Sequence, residues 1–225
     1  MCPYPCVGQL RFLILTLSQH HLYPEIVSRI QQGQSYVDIG CCFAQDIRQL
    51  AHDGAPTQNC IGIDIEQGFF ALSEELFRDK EQLAARFRSA DIFREDDEVW
   101  TALYDTADIV HASSFFHLFG LAKQRVIART IAKILKLKAG SIVLGLQLAA
   151  VGEAEEIPVV SEEEPTFCHT QETMQALWTG AGEEVGFRGK FAVETTPRPV
   201  PAGMKIGLLA NPKLQEVLWA VKVVQ

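Results

Sequence analysis

The sequence lacks any hydrophobic run that approaches the ~18–20 residues of a membrane-spanning helix. Its most apolar short stretch, residues 10–17, lacks the basic flank and the small-residue cleavage site of a signal peptide. That stretch is predicted to form a buried helix instead. The sequence therefore predicts a protein without a membrane span.

The sequence also has no excess of cationic residues. It contains 20 lysine and arginine residues and 28 aspartate and glutamate residues, which give a formal net charge of −8 at pH 7. Nucleic-acid binding draws most of its affinity from cationic side chains on phosphates. With no basic stripe along the chain, DNA and RNA are disfavoured as partners. A small-molecule substrate is the expectation.

The cysteine pattern is not that of a secreted disulfide framework. The six cysteines stand at positions 2, 6, 41, 42, 60 and 168, two of them adjacent in a turn and one in an apolar run. This placement predicts reduced thiols in a cytosolic protein. Cys2, Cys6, Cys168 and His169 could be drawn as a zinc site, but their spacing matches no standard zinc motif. We expect no metal, and the glutamate-rich loop at 150–165 is predicted to be solvated.

Apolar runs that alternate with amphipathic helices are present from Tyr36 onward, a pattern typical of a parallel sheet covered by helices. The predicted strands are 35–39, 60–63, 88–90, 107–111, 142–146, 191–196 and 217–224. The predicted helices follow the first strand and then cover 67–87, 121–137 and 170–181, with loops at 150–165 and 197–212. We divide the chain into an N-terminal helical segment, 1–34, and one α/β domain, 35–225.

An acidic residue stands at the end of each of the first three predicted strands, where α/β sheets bind ligands. Asp64 is placed to accept both hydroxyls of a ribose, with a helix N-cap as the alternative. Asp91 and Ile92 would suit the amine and the ring of an adenine, with a capping aspartate as the alternative. The strand ends therefore predict a nucleoside-type ligand.

The turn after the first strand reads VDIGCCFAQD over residues 37–46. The dinucleotide pattern G-x-G-x-x-G fails here, because Cys42 and Gln45 stand at its second and third glycines. The pattern acid-x-G-x-G-x-G keeps Asp38 and Gly40, with Cys42 and Ala44 in place of the other glycines. A nicotinamide-dependent reductase is disfavoured by the failed dinucleotide pattern and by the absence of a Tyr-x-x-x-Lys pair.

The ordered segments VDIGCCFAQD, GIDI, SADIF, ADIVHASSFFHLF and LKAGSIVLG resemble those of class I S-adenosylmethionine-dependent methyltransferases. With the opening YPCVGQLRFLILTLSQH, the chain more narrowly resembles fungal secondary-metabolite enzymes, especially meroterpenoid carboxyl methyltransferases of austinol- and andrastin-type pathways. The resemblance implies a Rossmann-like, seven-stranded, mostly parallel sheet with helices on both faces and an antiparallel last strand between its neighbours. It also implies S-adenosylmethionine as cofactor and a homodimer.

The same resemblance assigns residues to the cofactor and to the acceptor. Asp38, Gly40 and Cys41 would lie near its methionine part. Asp64 and Ile65 would hold the ribose, and Asp91 and Ile92 would frame the adenine. His111 would stand near the transferred methyl group, with Phe116 and His117 on the substrate side.

The expected reaction is methylation of a carboxylate on a meroterpenoid intermediate. An ionised acceptor needs no general base, whereas a phenol or carbon acid would, and His111 or His117 could then serve. The alternatives are therefore O- or C-methylation of a phenolic polyketide and, from another class, a non-catalytic cofactor-binding or dimerisation partner. The four other histidines are predicted to be structural: His20, His21, His52 and His169.

Overall fold

Seven strands form one sheet in the computed structural model, which describes residues 5–8, 10–157, 165–199 and 210–224. These strands are β1 (Tyr36–Ile39), β2 (Cys60–Asp64), β3 (Arg86–Ser89), β4 (Ile109–His111), β5 (Ile142–Ala150), β8 (Lys190–Arg198) and β9 (Leu214–Val224). The remaining two, β6 (Glu155–Ile157) and β7 (Thr166–Cys168), pair with each other in a separate hairpin.

The strand order in the sheet is β3-β2-β1-β4-β5-β9-β8. Strands β1 to β5 of this sheet run parallel, and β9 runs antiparallel to both β5 and β8. The predicted antiparallel last strand between two neighbours is therefore confirmed. The order reverses between β1 and β4, and in such sheets ligands bind at the carboxyl ends of the strands beside this point.

Helices cover both faces of the sheet, as predicted. They are α1 (Pro5–Gly8), α2 (Tyr23–Gln31), α3 (Gln45–His52), α4 (Gly68–Phe77), α5 (Glu98–Thr101), α6 (Leu121–Ile134) and α7 (Gln171–Glu184). On one face Ile131 of α6 and Trp178 of α7 pack in a cluster with Trp219, and on the other Ile26 and Ile47 pack with Tyr36. Alternate side chains of a strand point to opposite faces, so the strand residues separate into these two clusters. Within the described residues, no helix is both long and apolar enough to cross a bilayer.

The prediction of a buried helix at residues 10–17 is wrong. The segment forms short 3₁₀ turns, and the side chains of Leu10 and Leu13 are 58% and 59% exposed while Leu17 is buried. The reason is a competing set of hydrogen bonds: the Thr16 hydroxyl and the Leu17 amide both donate to the carboxylate of Asp46 in α3. The chain here follows α3 instead of coiling on itself.

The helix predicted at 67–87 ends ten residues early. Arg78 adopts a left-handed conformation with φ of 54° and donates its amide to the Glu74 carbonyl, which closes α4 at Phe77. Asp79 is then fixed by a two-nitrogen contact from Arg48. Residues 86–89 form the edge strand β3 and not the end of a helix.

The loop predicted at 150–165 contains β6, so that prediction is wrong for Glu155–Ile157. The hairpin of β6 and β7 packs a small apolar cluster against the end of β5, including Leu148 and Cys168. Glu155 pairs with Lys213 at 2.6 Å, and the glutamates at 162–164 lie outside the described residues. The second predicted loop, 197–212, is shortened because β8 continues to Arg198; residues 200–209 lie outside the described part.

Candidate active site

The turn between β1 and α3 is closed by main-chain hydrogen bonds onto β2. The amides of Gly40 and Cys41 both donate to the Ile63 carbonyl, at 2.8 and 3.1 Å. Gly40 has φ of 69°, and a Cβ there would lie 2.7 Å from the Phe115 ring. Only glycine therefore fits at position 40, for the conformation and for the ring that follows β4.

The next two motif positions keep the conformation of glycine without being glycine. Cys42 and Ala44 have φ of 51° and 53°. A left-handed conformation costs a non-glycine residue roughly 1–2 kcal/mol. Part of this cost is offset by hydrogen bonds, because the Ala44 amide donates to the Cys41 carbonyl at 2.7 Å and the Cys42 amide donates to Asp64 at 2.9 Å.

Asp64, at the end of β2, connects two loops through its carboxylate. One oxygen accepts the Cys42 amide at 2.9 Å and the other accepts the Glu66 amide at 3.0 Å. Burial raises the pKa of Asp64, and the two amide donors oppose that rise. The side chain does not cap α4, whose first amide, that of Gly68, donates to the Glu66 carboxylate instead. Each oxygen keeps a lone pair for a further donor, and the neighbouring Ile65 side chain is 58% exposed.

Asp91 occupies the turn after β3 and makes local contacts. Its carboxylate accepts the Phe93 amide at 2.9 Å, and its carbonyl accepts the Trp100 indole N–H at 2.8 Å. Ile92 is only 5% exposed and packs in the core with Trp100. Asp91 thus has the capping role that was given as its alternative. Its carboxylate uses one oxygen, Oδ1, for this bond, and the other oxygen is the one that could accept from a ligand amine.

Asp38 and His111 form a buried pair across β1 and β4. The Asp38 Oδ1 and His111 Nδ1 atoms are 2.8 Å apart, and the two side chains are 5% and 1% exposed. Burial by itself would lower the pKa of His111, but the charge and hydrogen bond of Asp38, with the charge of Asp46, raise it above its usual value. Among the described residues His111 Nε2 has no hydrogen-bond partner, and it is buried.

His117 lies in the 3₁₀ turn after β4 and presents a proton donor. Its Nδ1 accepts the Leu148 amide at 3.3 Å, so the proton of the neutral ring is on Nε2. Burial and the charge of Arg11 lower the pKa of His117 to about 4. At neutral pH the ring is therefore uncharged, and its proton is on Nε2.

Two clefts flank His169 and include none of the predicted cofactor residues. One, of about 300 Å³, is lined by Gln147 and the start of α7; the other, of about 420 Å³, lies between α6 and α7. The ring nitrogens of His169 bond to Thr173 Oγ1 and Gln124 Oε1, which leaves none for zinc. Within the described ranges, no cluster of three or more metal-ligating side chains exists.

Sequence reasoning missed several polar groups near this edge of the sheet. Asp46 holds the N-terminal segment, and the Gln45 side-chain oxygen beside the turn is buried without a partner among the described residues. Arg11 contacts Glu216 at the start of β9. For Arg11 and Glu216 the signal in the sequence was a charged residue inside an apolar run, LRFLILTL and LQEVLWAV respectively.

A methyltransferase-domain family model matches residues 37–144, from β1 into β5. The O-methyltransferase phiE of a fungal species is 35% identical over 85% of this chain and 64% of its own length. The Asnovolin E/Chermesin D methyltransferase nvfJ of Aspergillus novofumigatus is 40% identical over 64% of this chain and 51% of its own length. The chain thus spans less than two thirds of phiE and about half of nvfJ.

Solved structures show the same fold at low identity. An S-adenosylmethionine-dependent methyltransferase from Mesorhizobium loti superposes with a TM-score of 0.57, 14% identity and coverage of 92% of this chain and 99% of that chain. The [4+2]-cyclase SpnF superposes with a TM-score of 0.59, 14% identity and coverage of 88% and 79%. The fold alone therefore does not decide the reaction.

Sequence identity is more specific than the fold. The methyltransferase adrK of Penicillium rubens is 34% identical over 192 residues, which make up 84% of this chain and 68% of adrK. The chain therefore belongs to the family of fungal methyltransferases that adrK represents, and its fold is that of class I S-adenosylmethionine-dependent methyltransferases.

Proposed function

We propose that the protein transfers a methyl group from S-adenosylmethionine to a small molecule of fungal secondary metabolism. The observation that carries this proposal is the junction of Gly40, Cys42 and Asp64 in a chain of this family. Gly40 leaves no side chain in the turn, and Asp64 orders that turn while it retains lone pairs for a ribose. When bound, the cofactor supplies an activated methyl group on sulfur.

The proposal assigns the parts of the cofactor to different residues at this edge of the sheet. Asp64 accepts the ribose hydroxyls, and the exposed Ile65 side chain offers apolar surface beside them. The free oxygen of Asp91 accepts the adenine amine. The pair of Asp38 and His111 fixes the ends of β1 and β4 below the methionine part and keeps water out of that space.

The acceptor that we propose is a carboxylate, as on a meroterpenoid intermediate that becomes a methyl ester. Neither candidate histidine offers an accessible base at neutral pH, because His111 Nε2 is buried and His117 presents a donor. A carboxylate is already ionised at neutral pH and brings its own nucleophile. Catalysis then depends on alignment and on the exclusion of water.

A phenolic or carbon acceptor is the second candidate, and one observation favours it. A histidine whose Nδ1 is held by a carboxylate, as in the pair of His111 and Asp38, is the arrangement that prepares Nε2 for proton removal. Substrate entry would have to open a path to that buried nitrogen.

The expected homodimer and cytosolic location are likewise proposals, the latter supported by the buried thiols Cys41, Cys60 and Cys168.

Calorimetry of the purified protein tests the cofactor part of the proposal. We expect saturable binding of S-adenosylmethionine and none of NADH. A folded protein that binds neither compound would contradict the proposal and favour a non-catalytic dimerisation partner.

The pH dependence of methyl transfer separates the two acceptor classes, with benzoate and 2-naphthol as model acceptors. Transfer to the carboxylate should be flat from about pH 6 to pH 9, because no protein group must lose a proton. His111→Gln should then reduce the rate far less than the ~10²–10⁴-fold expected for loss of a general base.

Proton removal by His111 would give a different profile. Its pKa is raised, so the basic form accumulates only as pH rises beyond the usual histidine range, and the rate would rise with it. A rising limb that vanishes in His111→Gln would contradict the carboxylate proposal.

A further inference from the structure

The N-terminal segment connects the cofactor turn to the far side of the sheet. The Phe12 ring packs edge-on against Phe43 of the turn after β1, with centroids 4.7 Å apart. The preceding residue, Arg11, donates to Glu216 Oε1 at 2.9 Å. Because β9 is antiparallel, Glu216 at its start lies opposite Leu148 at the carboxyl end of β5. Arg11 therefore lies between the turn after β1 and the carboxyl end of β5.

Two arginines share the buried carboxylate of Glu216. Its side chain is 4% exposed and accepts from both Arg11 and Arg198, and Arg198 also donates to Gln19. Two guanidinium groups on one carboxylate leave one net positive charge. The Arg11 side chain is 43% exposed, and among the described residues only one of its nitrogens has a hydrogen-bond partner.

A second donor is bonded to the residue that lies opposite Glu216. Leu148, opposite Glu216, donates its amide to His117 Nδ1, so the proton of that ring is on the other nitrogen. Arg11 is near enough for its charge to contribute to the low pKa of His117. The donors here are thus the Arg11 guanidinium and the imidazole N–H of His117, while the Glu216 carboxylate already accepts from two arginines.

We propose that Arg11, positioned by Glu216, binds the carboxylate of the methyl acceptor, with His117 as a second donor. This inference rests on the proposed function and deepens it, because it assigns acceptor recognition to residues outside the cofactor motif. Guanidinium matches a carboxylate with two parallel hydrogen bonds. Arg198 supplies the second cation, so Glu216 orients Arg11 without cancelling its charge.

Benzoate binding to the protein saturated with S-adenosylhomocysteine tests the proposal, with methyl benzoate as the uncharged counterpart. Arg11→Gln should weaken benzoate binding about 10-fold or more, as expected for hydrogen bonds to a charged group, and leave methyl benzoate unchanged. Arg11→Lys keeps the charge and should recover part of the affinity. Arg29→Gln is the matched control, since Arg29 of α2 also bonds a glutamate, Glu25, together with Gln34 beyond the helix.

The alternative role of Arg11 is a clamp that fastens the N-terminal segment to β9. A clamp predicts a lower midpoint of thermal unfolding for Arg11→Gln with an unchanged dissociation constant for benzoate, and that result would overturn the proposal. If Arg11→Gln does not fold, equal benzoate affinities of Arg11→Lys, Arg29→Gln and the wild type would do the same.

The outcomes also separate this inference from the proposed function. A wild type that binds S-adenosylhomocysteine but not benzoate overturns the role of Arg11 and leaves the methyltransferase proposal intact. A wild type that binds benzoate through Arg11 but not S-adenosylhomocysteine supports the anion site and contradicts the methyltransferase proposal.

Discussion

Replacement of Gly145 by alanine should lower the free energy of unfolding by about 3 kcal/mol or more. A Cβ at this position in β5 would lie 2.4 Å from the Ala112 carbonyl oxygen and 2.8 Å from its carbon. Both are main-chain atoms, so no side chain can rotate away. The Ala112 amide donates to the Leu144 carbonyl at 2.9 Å, which holds the end of β4 against β5. Relief of the clash requires β4 and β5 to separate.

Urea denaturation of wild type and variant measures this effect. Gly180→Ala is the control, because a Cβ at Gly180 in α7 meets nothing within 4 Å. That substitution should stabilise the protein by up to about 1 kcal/mol, the helix-propensity difference between glycine and alanine. Equal unfolding midpoints for Gly145→Ala and wild type would mean that β4 and β5 move apart without a loss of stability.

Asp64→Ala should weaken S-adenosylmethionine binding by roughly 10- to 100-fold, since hydrogen bonds to a charged group are worth about 1.5–3 kcal/mol. Two losses act together. The ribose loses its acceptor, and the Cys42 amide loses the bond that offsets its left-handed conformation. Calorimetry gives the affinity, and hydrogen exchange at the Cys42 amide reports the order of the turn.

Asp91→Asn is the comparison for Asp64→Ala, because its single amide oxygen can still accept from either the Phe93 amide or an adenine amine. Its affinity loss should be smaller. Unchanged affinity in a folded Asp64→Ala protein, with faster exchange at Cys42, would reduce Asp64 to a residue that orders the loop.

The strand ends that carry Asp38 and Asp64 were predictable because buried parallel strands are short, apolar and bounded by polar residues. The edge strand β3 was predictable as the strand expected at 88–90, but its start at Arg86 was not. Its residues Arg86–Ser89 are largely exposed, and the apolar positions of 67–87 fit a helix almost as well. The left-handed Arg78 that ends α4 carries no sequence signal, since arginine is not the residue that favours that conformation.

The candidate site was predictable in its residues but not in their pairing. Asp38 and His111 are separated by 73 positions and meet only because β4 lies next to β1. Similarly, 205 positions separate Arg11 from Glu216. Periodicity reports the local conformation of each segment and contains no information about which segments become neighbours.

The place of β9 between β5 and β8 has a consequence for synthesis. Residues 142–150 and 190–198 leave the ribosome before 214–224, yet β9 is the strand with which both of them pair on that side of the sheet. Until residue 224 has emerged, the nascent chain presents β5 as an open edge of unpaired amide and carbonyl groups, a template for aggregation. Emergence of residues 214–224 is therefore the step that covers this edge and protects the growing protein from its neighbours.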